Sequence, residues 1–174
     1  MGQTVECAGN AMKLASKKDI EAPLSAVWAA IADHEAWERS AMRRGVEVER
    51  TETQTRPGPG MAWVARFSFR GKARKASLTM TEMVEPSLLG FLLISDSIEL
   101  VSRVELIEMS ARRTRIHVVT EIKPRSLGAR LFLQSLRLAR SKVDQKFDAR
   151  VGQLALELET RAKAATGARS APRH

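Results

Sequence analysis

The chain has 174 residues, 44% hydrophobic and 28% charged, with a net charge of +9 and a single cysteine, Cys7. These values suit one globular domain with one core, exclude an internal disulfide, and leave no apolar stretch long enough to span a bilayer. The opening Met1 to Met12 is polar and mixed, unlike a signal peptide, and Glu6 stands where a myristoylation site needs Ser or Thr, so a cytoplasmic location is expected.

The basic excess invites a nucleic-acid reading. Its distribution argues against one: Arg43, Arg44, Arg66, Arg70, Lys72, Arg112 and Arg113 are scattered among acids, with no helix-turn-helix, zinc or RNA-recognition pattern around them. A solvated basic surface is expected instead, with no specific nucleic-acid partner and at most a weak attraction to anionic membranes.

Residues 1–11 read as a flexible N-terminus. From Met12 to Ile20, apolar and small residues alternate against Lys13, Lys17 and Asp19, which predicts a strand that Pro23 ends. Leu24, Val27, Trp28 and Ile31 then fall at helical spacing, with Ser25 as candidate cap. A second short helix is expected from His34 to about Arg43, anchored by Trp37 and closed by Gly45.

From Val46 the period changes to two. Val46 and Val48 alternate with glutamates; after the turn-rich segment 55–60, Trp63, Ala65, Phe67 and Phe69 alternate with Val64, Arg66 and Ser68. Gly71 and Lys72 mark a hairpin, followed by a strand to Val84 with Ala76, Leu78 and Met80 on one face. Leu88 to Ile94 is a continuous apolar run, the best candidate for a central strand. Two further alternating strands carry Leu100, Ser102, Val104 and Leu106, then Ile116, Val118, Thr120 and Ile122.

Past Pro124, Phe132, Leu136, Ala139, Val143, Phe147, Val151, Leu154 and Leu158 recur every three or four residues, predicting one long amphipathic helix over 126–161. Leu127, Leu131 and Leu138 form a second apolar stripe on another side of it. Residues 162–174 are short of large apolar side chains and read as a disordered basic tail. The expected fold is α+β, with about seven antiparallel strands curled around the long helix and two short helices after the first strand. Residues 12–161 would form this single domain, leaving a hollow between sheet and helix.

The chain resembles the START-like (SRPBCC) superfamily, the polyketide cyclase/dehydrase-like proteins of helix-grip fold. The resemblance is carried by Ile20-Glu21-Ala22-Pro23, Val27-Trp28, Ile31-Ala32-Asp33 and Trp37, with Gly60 to Trp63, Thr114-Arg115-Ile116 and Pro124 in matching order. It implies a hydrophobic cavity for a lipid, quinone, polyketide or hormone-like molecule, lidded by the final helix. Some members catalyse cyclisation or dehydration in that cavity, and others only carry a ligand.

The expected cavity lining is Trp63, Phe67, Leu78, Met80, Ser102, Val104, Leu106, Val118, Thr120, Leu136, Val143 and Phe147. Ser102 and Thr120 are candidate hydrogen-bonding groups there, and Arg150 is a candidate polar anchor at the mouth. No catalytic or metal-ligating constellation stands out: His117 points away from the cavity by alternation, His174 is in the tail, and His34 reads as a helix cap. Tyrosine, a common general acid in apolar pockets, is absent. Cofactor-free binding of a hydrophobic or amphipathic small molecule is therefore the leading expectation. A cyclase- or dehydratase-type enzyme is the alternative, and a module docking a membrane or acidic partner through its basic surface comes third.

Overall fold

A computed structural model describes residues 10–51, 54, 56–69 and 71–170, without the side chains of 168–170. Cys7, Arg70, His174 and most of the expected flexible N-terminus lie outside these residues. The elements are β1 (Met12–Ile20), α1 (Leu24–Ile31), α2 (His34–Arg43), β2 (Glu47–Arg50), β3 (Ala62–Phe69), β4 (Lys72–Val84), β5 (Leu88–Ser95), β6 (Ile98–Ser110), β7 (Arg113–Pro124), α3 (Leu127–Leu138) and α4 (Arg140–Ser170).

The seven strands form one antiparallel sheet in the order β1-β7-β6-β5-β4-β3-β2. β2 to β7 are a meander, with short turns joining β3 to β7 and residues 51–61 joining β2 to β3, and the apolar β5 is the middle strand, as its composition predicts. β1 returns to pair with β7. β4 carries a bulge at Thr81, between the Met80–Phe91 and Glu82–Gly90 pairs, which bends and twists the sheet. Gly90 fits opposite it because a Cβ there would lie 2.9 Å from Thr81 Oγ1. The result is a curved α+β sheet with its concave face covered by helices.

Two short helices cross one end of that face. α1 starts at Pro23 with no side-chain cap, so Ser25 lies inside the first turn and does not cap it. Asp33, not His34, caps α2 by accepting from Ala36 N–H at 3.0 Å, and Gly45, with φ of 82°, closes it as expected. The cap at Asp33 leaves the His34 ring free for tertiary contacts.

The C-terminal helix departs from expectation twice. It is not one helix: at Ala139 (φ −106°, ψ 30°) the N–H turns back to Leu136 O, and the axis breaks. α3 packs on β7 while α4 packs on β1 and α1, so the chain changes support at the break. The apolar period runs through both segments, which is why the sequence reads as continuous. Nor does the tail begin at residue 162. α4 continues to Ser170, Ala162 is only 1% exposed, and the i,i+4 pair Glu159–Lys163 carries the helix across residue 162. Alanine-rich sequence needs few large side chains to stay helical.

The main core lies between the sheet, α1 and α4, where Ile20, Val27, Met80, Leu89, Ile116 and Leu158 are almost wholly buried. A smaller cluster joins Met12, Leu14 and Leu133 under α3. Polar ties hold α4 to β1: Asp148 accepts from Ser16 Oγ and Lys18 Nζ, both at 2.6 Å. These bonds, Lys18's first, hold the Asp148 carboxyl below its ordinary value.

Candidate ligand-binding site

A half-open cavity of about 370 Å³ lies between α2, the β2–β6 part of the sheet and α4. Its walls are mostly apolar, with Ile31, Trp37, Trp63, Leu78, Phe91 and Val104 providing the bulk. Ala41 and Ala65 keep it hollow, because at those positions the wall has only methyl groups.

Both indoles in the wall are fixed through their N–H groups. Trp37 Nε1 donates to Ile31 O at 3.0 Å, and the Arg161 guanidinium stacks 3.9 Å from its ring centroid. Trp63 Nε1 donates to Glu38 Oε1 at 2.6 Å. The same oxygen accepts from Arg50 Nη2 at 2.6 Å and Nε at 3.0 Å. The Glu38 carboxylate in the wall is thus engaged through one oxygen by an arginine and an indole, and its charge is balanced by Arg50.

His34 is different. It is 8% exposed, belongs to the cavity wall and stacks obliquely on Trp63, with ring centroids 5.7 Å apart. Its Nε2 is buried without a hydrogen-bond partner. Burial pushes the imidazole below its ordinary pKa, the Arg50 guanidinium adds to this, and the Glu38 and Asp33 carboxylates oppose it. The ring is therefore neutral near pH 7, with one nitrogen donating and the other accepting. Among the described residues, only one other buried side-chain polar atom lacks a partner, Arg161 Nη1, on the guanidinium that backs Trp37. Of the two, only His34 belongs to the cavity wall, where a bound molecule is the natural partner for its nitrogen.

The expected lining residues divide into several groups. Trp63, Leu78 and Val104 line the cavity. Met80, Leu106 and Val118 are buried in the packed core instead. Leu136 and Val143 pack on the cluster under α3, and Phe147 bridges the two clusters. Phe67 is half-buried, outside the wall. Ser102 and Thr120 face each other across β6 and β7 and share a hydroxyl hydrogen bond of 3.0 Å, so they satisfy one another. Arg150 is exposed and has no part in the wall. His117 meets Glu105 across the same strand pair, 3.4 Å apart, away from the cavity as alternation requires.

Sequence reasoning missed the contribution of α2, namely His34, Trp37 and Glu38, and missed Phe91 of β5. The spacing of His34, Trp37 and Ala41 by three and four was a legible signal of one helical face.

No family model and no curated protein matches the sequence. Solved structures do match the fold. An aromatase/cyclase from Streptomyces sp. R1128 superposes with a TM-score of 0.63 at 12% identity, over 93% of this chain and 99% of the other. A START superfamily protein from Mycobacterium smegmatis gives 0.60 at 12% identity, over 88% and 98%. Norcoclaurine synthase from Thalictrum flavum, in a structure with dopamine and hydroxybenzaldehyde, gives 0.57 at 12% identity, over 90% and 94%. The chain has the START-like helix-grip fold. At these identities the likeness establishes architecture alone.

Proposed function

We propose that this protein binds a flat, mostly apolar small molecule, of the quinone or aromatic polyketide kind, in the cavity beside α2. In this reading it is a cytoplasmic binding protein that needs no cofactor. One observation carries it: an apolar cavity whose wall contains a buried, neutral histidine with an unpartnered nitrogen. Burial of the ligand's body supplies affinity, and a hydroxyl or carbonyl against His34 Nε2 supplies orientation. The volume is at the small end for ligand pockets, which favours two or three fused rings over a long lipid. The indole, phenyl and imidazole rings around it favour an aromatic occupant. Norcoclaurine synthase, of the same fold, is recorded with two small aromatic molecules, which supports that class.

The test is displacement of anilinonaphthalenesulfonate by naphthol and by naphthalene. Naphthol is expected to compete about tenfold better, the value of one hydrogen bond to an otherwise unmet group. His34→Phe should erase that preference while leaving naphthalene binding in place. Absence of any dye uptake would remove the cavity reading; equal competition would remove His34 from it.

His34 also supports a second reading, a cyclase- or dehydratase-type enzyme. A neutral imidazole in an apolar pocket is a competent general base. Turnover of a phenolic polyketide mimic that vanishes in His34→Gln, with dye binding retained, would establish it over simple binding.

A further inference from the structure

α3 has two apolar faces, and the fold uses only one. Ala129 and Leu133 are buried, and Leu133, with Leu136 beside it, packs in one cluster with Met12 and Leu14 of β1. On the other side, Leu127, Leu131 and Leu138 are 72%, 60% and 93% exposed. At about 100° per residue these three fall within about 40° of one another, forming a single outward stripe. Scattered exposed leucines need no explanation, but three aligned on one helix do.

Along the chain, the charge beside the stripe is of one sign. Between Glu121 and Asp144 there are six basic residues, Lys123, Arg125, Arg130, Arg137, Arg140 and Lys142, and no acidic one. Arg130 and Arg137 border the stripe on the helix itself, one turn around from the leucines. Arg125 donates to Ser95 O at 2.9 Å and Arg137 to Ala11 O at 3.0 Å, neutral acceptors that pin the guanidinium groups beside α3. Arg140 is held by Asp144 and by Lys13 O, and Lys123 faces Glu99 at 4.0 Å, which leaves Arg125, Arg130, Arg137 and Lys142 as the principal cations of the flank. An apolar ridge flanked by fixed cations is complementary to a surface that is anionic outside and apolar beneath.

We propose that α3 docks this protein on anionic lipid bilayers, with Leu127, Leu131 and Leu138 entering the acyl boundary and the basic residues at headgroup level. A second copy of the chain fits the stripe less well. Pairing about a two-fold axis would bring the same basic flank of each copy together. A nucleic acid would use the cations and leave the leucines unexplained. The site is separate from the cavity, since no residue of α3 lines it.

The experiment is co-sedimentation of the full chain with phosphatidylglycerol/phosphatidylcholine vesicles and with pure phosphatidylcholine vesicles. Partitioning should be at least roughly tenfold stronger on the anionic vesicles and should weaken steeply with salt. The triple variant Leu127→Ser, Leu131→Ser, Leu138→Ser alters only exposed positions, so it should fold and bind naphthol as before. Its partitioning on anionic vesicles should fall at least roughly tenfold at fixed salt. Undiminished partitioning of the triple variant would reduce the association to diffuse charge and overturn the proposal. Failure of the parent chain to sediment would overturn it too, and a dimer abolished by the same substitutions would then assign the stripe to self-association. Naphthol binding in the triple variant reports on the cavity separately, so the two readings fail independently.

Discussion

The two ends of the sheet follow the same alternating pattern and come out differently. Toward β1 and β7 the inward side chains interlock: Ile116, Val118 and Leu158 fill the space, and the Ser102 and Thr120 hydroxyls pair with each other. Toward β2 and β3 the inward side chains stand apart. Trp63 is pulled onto Glu38 and Trp37 onto Ile31 O, while Ala41 and Ala65 are too small to fill the gap. Alternation decides which face is apolar. Whether that face closes into a core depends on where bulky rings are tethered and where small residues sit between them.

The largest expected contrast comes from truncation in the packed core and truncation beside the hollow. Met80→Ala removes a wholly buried side chain and should cost about 2–5 kcal/mol. Leu78→Ala, two residues along the same strand but facing the hollow, should cost less than half as much in urea unfolding. Equal losses would mean that the hollow is filled. Enlargement gives the converse. Ala155→Leu, in the packed seam of α4, should cost about 1–3 kcal/mol, whereas Ala65→Leu should be nearly neutral and should abolish dye and naphthol binding.

A smaller effect is expected at the tether. Glu38→Gln takes the carboxylate from Arg50 and Trp63 and should cost about 1–2 kcal/mol, with a red shift of tryptophan emission as Trp63 loosens. His34→Phe should instead stabilise the fold by about 1 kcal/mol, because it removes a buried polar atom that has no partner among the described residues.

The pH dependence is the mildest test. The folded-state pKa of His34 lies below the ordinary 6.5, so the unfolded chain takes up the proton first as pH falls. The histidine therefore leaves stability at its full value above that pH and erodes it progressively below. His34→Phe should flatten the slope between neutral pH and the onset of carboxylate titration. Asp148 acts in the acid range: its folded pKa is depressed below 3.8, so its contribution is present above that value and lost as pH falls through the folded one.

Much of the architecture was legible. The strand spans, the two short helices and the central place of β5 follow from alternation, proline and glycine positions, and one unbroken apolar run. The site was less legible, for physical reasons. An unbroken run such as Leu88–Ile94 has no phase, so Phe91 could not be assigned to a face. Ser102 and Thr120 look like ligand contacts until the register of β6 and β7 places them opposite each other. His34 reads as a cap until Asp33 is seen to take that role. The break at Ala139 has no proline or glycine to announce it.

The pairing of β1 with β7 bears on the order in which the chain can fold during synthesis. β3 to β7 are joined by short connections and can zip up as hairpins in the order they emerge. β1 has no such neighbour: Met12 meets Ile122 and Ile20 meets Thr114, so the first strand waits for roughly a hundred residues to be made. During that interval its apolar side chains, Met12, Leu14 and Ile20, are exposed to other nascent chains, and the polysome becomes the setting in which this protein is most vulnerable to aggregation.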